Sequence, residues 1–181
     1  INKDIQKKHD LRKKFQIPDN NIIIVYQGVL QKGRGVNTLI NLILNTENIS
    51  AIIIGNGQEK QNYINKVTSH AMNSKIFFID KVPYLELFHY TAAADIGWLV
   101  IDNQSISNNF ALPNKLFEYT LMNIPVIASE LPNMSKIILK YNLGVIIENK
   151  KNIDIIHSKL NTMIKNINQY EDIHKIIKNN F

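Results

Sequence analysis

The stretch that decides the fold runs from Ile22 to Gly35 and reads Ile-Ile-Ile-Val-Tyr-Gln-Gly-Val-Leu-Gln-Lys-Gly-Arg-Gly. It begins with an unbroken apolar run rich in β-branched side chains, which is typical of a strand buried on both faces. Glycines then mark a loop, and helix-like spacing follows over about residues 35–46. A buried strand that passes through such a loop into a helix is the building unit of parallel sheets.

The same strand–loop–helix unit recurs along the rest of the chain. Strands are predicted over 22–26, 51–54, 76–79, 95–100, 125–128 and 144–147. Helices are predicted over 3–14, 35–46, 58–71, 83–93, 113–122 and 132–141, and after 147 with a weak break near Asn168. This alternation predicts an α/β fold, a doubly wound, Rossmann-like parallel sheet of about six strands with helices on both faces. Ligands bind such sheets at the carboxyl ends of the strands, here the loops at 27–35, 55–58, 80–84, 101–113 and 129–132.

Length and charge limit the classes of function. The 181 residues suit one domain with a substantial core. The net charge is +6, but residues 1–14 alone carry six basic and two acidic groups, so the body is nearly neutral. Nucleic-acid binding needs basic charge clustered with base-reading groups, and we therefore expect no nucleic-acid partner. The basic first segment is most simply a solvated helix face, although an acidic partner domain or an anionic membrane surface also fits.

Composition also bears on cofactors and location. There is no cysteine, and the five histidines are scattered with no acid at metal-binding spacing, so we expect no metal site. The lack of cysteine suits a reducing cytoplasm, and the longest apolar runs are strand-sized rather than membrane-spanning. The chain begins at Ile1 and opens on a charged helix with no strand before it, so we expect a fragment of a longer protein.

The first loop has the chemistry of a phosphate site. Its glycines, beginning with Gly28, let backbone amides approach a ligand closely, and Arg34 can fork onto phosphate oxygens. A flexible turn with a solvated arginine fits the same residues, and the Gly-Lys-Ser/Thr ending of a Walker loop is missing. The second loop, Gly55-Asn56-Gly57, has Lys60 where a dinucleotide fingerprint needs its third glycine. We therefore interpret it as a tight strand-to-helix turn.

A second candidate segment surrounds the helix that is predicted to begin at Pro113. The start of that helix leaves free backbone amides above the sheet. Asn114 and Glu118 are one turn apart on one face, with Lys115 adjacent. A carboxylate there suits two vicinal hydroxyls, such as those of a ribose, and an ammonium suits phosphate. An internal Lys115–Glu118 surface pair fits the residues equally well.

Together these segments resemble the C-terminal domain of GT-B glycosyltransferases, most closely family 4 with its bacterial capsule, O-antigen and exopolysaccharide enzymes. The resemblance runs from about Leu11 to Ile147. It is carried by motifs in order: Leu-Arg-Lys-Lys-Phe-Gln-Ile-Pro (11–18), Tyr-Gln-Gly-Val-Leu-Gln-Lys-Gly-Arg-Gly (26–35), Ile-Gly-Asn-Gly (54–57), Val-Pro-Tyr-Leu-Glu-Leu (82–87), Ala-Ala-Ala-Asp-Ile-Gly (92–97), Leu-Pro-Asn-Lys-Leu-Phe-Glu-Tyr (112–119) and Ile-Pro-Val-Ile-Ala-Ser (124–129).

The resemblance implies a role for each candidate residue. Arg34 falls at a basic position that contacts the donor diphosphate, and Val82 falls in the loop whose backbone reads the nucleobase. Glu118 falls on the second glutamate of the family's Glu-x7-Glu motif, which binds the ribose hydroxyls. Asn114 and Lys115 lie where helix-start amides and nearby groups meet the phosphates. The resemblance also implies a UDP- or GDP-sugar as substrate, UDP favoured, with retention of anomeric configuration and neither metal nor other cofactor.

Two positions depart from the family pattern. The basic residue often found just after the first glycine is Val29 here, so diphosphate neutralisation would depend more heavily on Arg34 and Lys115. The first glutamate of the motif would fall on Phe110. Its contact with the sugar would be lost or taken by a neighbour, Asn109 or Asn108.

The resemblance also implies how the chain is organised. Residues 1–17 would be an interdomain linker and helix, and residues 18–181 the donor-binding domain. An N-terminal acceptor domain, absent here, would be its partner and would supply the acceptor-side base, so the fragment alone would be inactive. The full enzyme is expected in the cytoplasm, with peripheral association at the inner face of the membrane. A non-catalytic nucleotide-binding or partner-docking α/β module and a nucleotide-sugar epimerase half remain alternatives.

Overall fold

The computed structural model describes residues 5–101, 112–148 and 152–170, together with residues 173 and 175. The strands are β1 (Ile22–Gln27), β2 (Ile49–Ile54), β3 (Ile76–Ile79), β4 (Ile96–Leu99), β5 (Val126–Ser129) and β6 (Gly144–Ile147). The helices are α1 (Ile5–Phe15), α2 (Val36–Leu44), α3 (Lys60–Ser69), α4 (Tyr84–Ala93), α5 (Asn114–Leu121), α6 (Pro132–Lys140) and α7 (Ile153–Lys165), followed by a 3₁₀ helix (Ile167–Tyr170). Within this part of the chain no helix combines the length and apolar character needed to cross a membrane.

The six strands form one parallel sheet in the order β3-β2-β1-β4-β5-β6. Helix α2 contacts α3 and α7, while α4 contacts α1 and α5, so helices cover both faces. This arrangement confirms the doubly wound, Rossmann-like fold that the strand–helix alternation predicts. Strand order reverses between β1 and β4, and this is the point where ligands bind in sheets of this kind.

Element boundaries differ from the predicted ones by a few residues. Strand β1 continues to Gln27 because its parallel partner β2 also continues, and Gln27 pairs in register with Ile54. Pro83 and Pro113 cap their helices from an extended conformation, and the helices begin at the next residue. The predicted break near Asn168 corresponds to the end of α7 and the start of the 3₁₀ helix. The extra residue of β1 matters most, because it carries an amide side chain to the carboxyl edge of the sheet.

Close packing between β4 and α5 positions the second candidate segment. Tyr119 of α5 is fully buried over Gly97, where a Cβ would lie 2.5 Å from the tyrosine ring. The Tyr119 hydroxyl accepts a hydrogen bond from the backbone N–H of Gln27 at 3.3 Å and lies 3.3 Å from the carbonyl of Val25. Helix α5 is therefore held directly against the ends of β1 and β4, and with it the residues on either side of Tyr119.

The basic first helix packs against the body of the domain. Leu11 is buried, and the carboxylate of Asp95 binds both the ammonium of Lys8 and, at 3.5 Å, the guanidinium of Arg12. Asp95 also accepts a hydrogen bond from the backbone N–H of Ile23 at 2.9 Å. The simplest interpretation from sequence, a solvated helix face, is therefore incomplete, because two of the cations bind a buried acid that is distant in sequence.

Candidate functional site

A crevice of about 530 Å³ opens at the carboxyl edge of the sheet, lined by the ends of β1 and β2, the loop after β3 and parts of α4 and α5. Six of the seven residues predicted for a ligand site line it: Gly28, Arg34, Val82, Asn114, Lys115 and Glu118. The seventh, Asn109, lies outside the described residues, as do Asn108 and Phe110. Residues 90 positions apart in the sequence thus surround one cavity.

Lys115 projects from the first turn of α5 over the first loop. Its ammonium lies 4.3 Å from the centre of the Tyr26 ring, a cation–π geometry. Gly28 leaves the room for it, because a Cβ at this residue would lie 3.2 Å from the Lys115 nitrogen, and its φ of +140° disfavours any other residue. Gly28 therefore lines the crevice and leaves space for the Lys115 ammonium.

Three cations line the crevice, Arg34, Lys81 and Lys115, and none of them forms an ion pair with an acid among the described residues. Lys115 forms no ion pair with Glu118, so the internal pair considered from sequence is not present. Burial and, to a smaller extent, the positive charge of Arg34 lower the pKa of Lys115 to about 8, against the opposing effect of Glu118. Arg34 makes no hydrogen bond or ion pair within the same described ranges. Two neighbouring positive groups that repel one another create a site with affinity for an anion.

Glu118 faces the crevice one helical turn beyond Asn114 and is held by a neutral donor. Its Oε2 accepts a hydrogen bond from the side-chain amide of Gln27 at 2.5 Å. Desolvation, the nearby negative charge of Glu118 and a hydrogen bond to its carboxylate raise the pKa of Tyr84, which also lines the crevice. The carboxylate is therefore fixed in position and keeps acceptor capacity toward the cavity.

The start of α5 adds backbone donors to the same cavity. Pro113 occupies the cap position, so the first amides of the helix, at Asn114 and Lys115, have no partner within the helix. They lie at the positive end of the helix dipole, which favours an anion.

The crevice also has apolar lining. Ile54, Val82, Leu87 and the exposed Val29 line it, together with the polar Asn56 and Lys81. Apolar lining of this kind suits a flat, poorly charged group. Polar groups and apolar surface thus share one cavity.

The glycines of the first two loops serve different purposes. Of the three glycines in the first loop, only Gly28 lines the crevice. A Cβ on Gly35 would lie 2.3 Å from the carbonyl oxygen of Val100, so Gly35 is needed for close packing. In the second loop a Cβ on Gly55 would lie 1.9 Å from the carbonyl oxygen of Gly28. These contacts agree with the tight-turn interpretation of the second loop.

Sequence reasoning assigned no role to three residues that shape the site: Tyr26, Gln27 and Thr91. Tyr26 carries the ring beneath Lys115, and Gln27 links Thr91 to Glu118. One signal was present in the sequence, since Gln27 is an amide that ends an otherwise apolar strand at the ligand-binding edge. Its connection to Thr91 and Glu118 depends on the packing of three separate elements.

Comparisons with known proteins agree with this architecture. A family model described as Glycosyl transferases group 1 matches residues 7–180. The O-antigen biosynthesis glycosyltransferase WclY of Escherichia coli is 33% identical over 126 residues, which cover 70% of this chain and 33% of WclY. The aligned region thus spans about a third of that relative's length.

Solved structures show the same fold. The structure of Anabaena HepE in complex with UDP superposes with a TM-score of 0.80 at 15% identity, covering 99% of this chain and 50% of that one. The C-terminal domain of a glycosyl transferase group 1 family protein, LpcC of Francisella tularensis, gives a TM-score of 0.72 at 21% identity, covering 97% of this chain and 91% of that domain. Because the family model matches almost the whole length of the chain, the chain belongs to the glycosyltransferase group 1 family.

Proposed function

We propose that this chain is the donor-binding domain of a retaining, family 4 glycosyltransferase and that its crevice binds a nucleotide sugar, UDP-linked in preference to GDP-linked. The observation that carries the proposal is the convergence of Arg34 and Lys115, neither of which forms an ion pair among the described residues, on a cavity that also holds Glu118. A nucleoside diphosphate has a doubly charged centre beside a diol, and this is the chemistry the three side chains complement.

Each part of the crevice takes one part of the donor. Arg34, Lys115 and the first amides of α5 bind the diphosphate, and Gly28 allows its close approach. Glu118 accepts hydrogen bonds from the two ribose hydroxyls. The backbone near Val82 and the apolar lining of the crevice hold the nucleobase. The resemblance of the sequence motifs and the presence of both polar and apolar lining support this division.

The contribution to catalysis is electrostatic. When the sugar leaves, negative charge develops on the terminal phosphate oxygen, and fixed cations and amide dipoles stabilise that charge without reorganising. The chain holds such groups at one end of the crevice. The acceptor and the acceptor-side base come from an N-terminal domain, so the chain alone binds donor without transferring sugar.

The similarity to WclY supports a role in bacterial surface polysaccharide synthesis, and the UDP complex of HepE supports the choice of UDP. The proposed setting is the cytoplasm, with the whole enzyme at the inner face of the membrane.

Titration calorimetry with UDP, GDP and ADP tests the proposal. UDP is expected to bind most tightly of the three. Arg34→Ala is expected to make the binding free energy of UDP less favourable by about 2 kcal/mol, because a charge-assisted hydrogen bond to phosphate is lost. Lys32→Ala is the matched control, since it removes the same charge from the same loop outside the crevice.

Equal losses for Arg34→Ala and Lys32→Ala would show that only the net charge of the loop matters and would remove Arg34 from the site. Absence of binding for all three nucleotides would favour the alternative of a partner-docking module.

A further inference from the structure

A chain of hydrogen bonds leads from helix α4 through the end of β1 to the crevice. The hydroxyl of Thr91 lies 2.7 Å from Oε1 of Gln27, and Nε2 of Gln27 donates to Oε2 of Glu118 at 2.5 Å. Thr91 is fully buried and Gln27 is 3% exposed. Water therefore has little access to the first two members, and each depends on its protein partners.

The chemistry of the partners fixes the direction of this chain. An ionised carboxylate can only accept, so the amide of Gln27 must present its NH₂ to Glu118 and its oxygen to Thr91. The reversed amide would place two oxygen acceptors in contact. With the amide in this direction, the Thr91 hydroxyl donates its one proton to Oε1 of Gln27, and the Leu87 carbonyl at 2.9 Å is its alternative acceptor.

The backbone of Gln27 is held independently of its side chain. Its N–H donates to the hydroxyl of Tyr119, the residue next to Glu118 in α5. The backbone of Gln27 is therefore fixed relative to α5, and this places its side-chain amide within hydrogen-bonding distance of the Glu118 carboxylate.

We infer that Gln27 is a positioning residue for Glu118 and that Thr91 holds the Gln27 amide in place through its oxygen, so that the carboxylate is held ready to accept a vicinal diol. This inference rests on the proposed function, in which the diol is that of the donor ribose. Gln27 occupies one acceptor site of Oε2 and the Tyr84 hydroxyl hydrogen-bonds the same carboxylate, which leaves the other acceptor sites of the two oxygens to the ligand. A carboxylate held in this way loses less side-chain freedom on binding than a free glutamate would lose.

Affinities for UDP and 2′-deoxy-UDP, measured by calorimetry, test the inference. Gln27→Met keeps the length of the side chain and removes the amide, while Thr91 retains Leu87 as its acceptor. We expect this variant to lower the affinity for UDP about 5-fold, because the Glu118 side chain must then be immobilised on binding, and to lower the affinity for 2′-deoxy-UDP less. Thr91→Val should also lower the affinity for UDP, by a smaller factor. Thr91→Ser keeps the hydroxyl and should bind UDP as tightly as the wild-type chain.

The decisive measurement is Gln27→Met in the Glu118→Ala background. Glu118→Ala alone should weaken UDP about 10-fold and nearly abolish the preference for UDP over its deoxy analogue. If Gln27 acts through Glu118, Gln27→Met then has no further effect. A purely structural role would instead weaken both ligands equally and add fully to Glu118→Ala, and that result would overturn the inference.

The experiment separates this inference from the proposed function. A wild-type chain that binds neither ligand, or both equally, contradicts the ribose role of Glu118. A wild-type chain that prefers UDP, with the same preference in Gln27→Met, contradicts only the positioning role. Circular dichroism and melting temperature verify folding, and if Gln27→Met does not fold, the Thr91→Val and Thr91→Ser pair decides.

Discussion

Two clusters of positive charge lie on opposite edges of the same sheet, and they differ in one respect. At the amino edge, Lys8 and Arg12 of α1 bind the carboxylate of Asp95. At the carboxyl edge, Arg34 and Lys115 converge on a cavity and form no ion pair with an acid among the described residues. The first cluster is paired with an acid within the fold, while the second is left to pair with a ligand.

This difference explains why net charge alone is a poor guide to function here. The most basic part of the sequence, residues 1–14, directs part of its charge inward to hold a helix in place. The functional charge comes instead from a region that is nearly neutral overall. Its effect depends on position, because a few cations in a partly desolvated crevice act more strongly on an anion than many on an open helix.

The largest expected effect is on stability, at the paired cluster. Asp95→Ala should lower the free energy of unfolding by about 3 kcal/mol, because it leaves two cations without their acid and a buried N–H without an acceptor. Urea denaturation measures this change. Asp19→Ala is the control, since Asp19 is exposed and near the same helix. An equally small loss in both variants would show that the Asp95 cluster contributes little.

At the unpaired cluster we expect a smaller effect, and we expect it on ligand binding rather than on stability. Lys115→Met should weaken UDP by about 2 kcal/mol, because a phosphate contact is lost. Its stability near pH 7 should be unchanged or higher, because the folded protein no longer holds a desolvated charge beside Arg34. Calorimetry and urea denaturation of one sample measure both quantities. Lys136→Met, on the exposed surface of α6, should change neither.

A marked loss of stability in Lys115→Met would contradict the distinction between the clusters. It would mean that Lys115 serves the fold through its contact with Tyr26 and that binding is affected only indirectly.

The fold was predictable because its signals are local. Continuous apolar runs such as Ile22–Tyr26 identify buried strands, and glycines and prolines mark their ends. The predicted site residues could be brought to one edge because parallel strands share a carboxyl edge. Their approach to one another depends on strand order, which the structure establishes and the sequence pattern does not predict.

Contacts between distant elements could not be predicted in the same way. Nothing near Lys8 indicates that Asp95 will meet it, and nothing near Gln27 indicates that Thr91 and Glu118 will flank its amide. These contacts depend on how α1, α4 and α5 pack on one face of the sheet. The role of Asn109 stays a prediction, because that residue lies outside the described ranges.

The smallest expected effect is a pH dependence that only the unpaired cluster should show. The pKa of Lys115 is lowered to about 8 by burial and then by Arg34, and a bound diphosphate should raise it again. Binding therefore takes up a proton where Lys115 is partly neutral, and the affinity for UDP should fall about 4-fold from about pH 7 to about pH 8.5. Calorimetry in buffers of different ionisation enthalpy measures the proton uptake directly, and Lys115→Met should show none.

Unfolding provides an independent check on the same group. The folded protein binds the Lys115 proton less tightly than the unfolded chain, whose lysine keeps its ordinary pKa of 10.5. Between about pH 8 and that value the unfolded state holds more protons, so the free energy of unfolding should rise with pH in this window. The slope should be smaller in Lys115→Met. Equal slopes in the two proteins would mean that Lys115 is not desolvated in the empty crevice, and the proton uptake expected on binding UDP would then be absent as well.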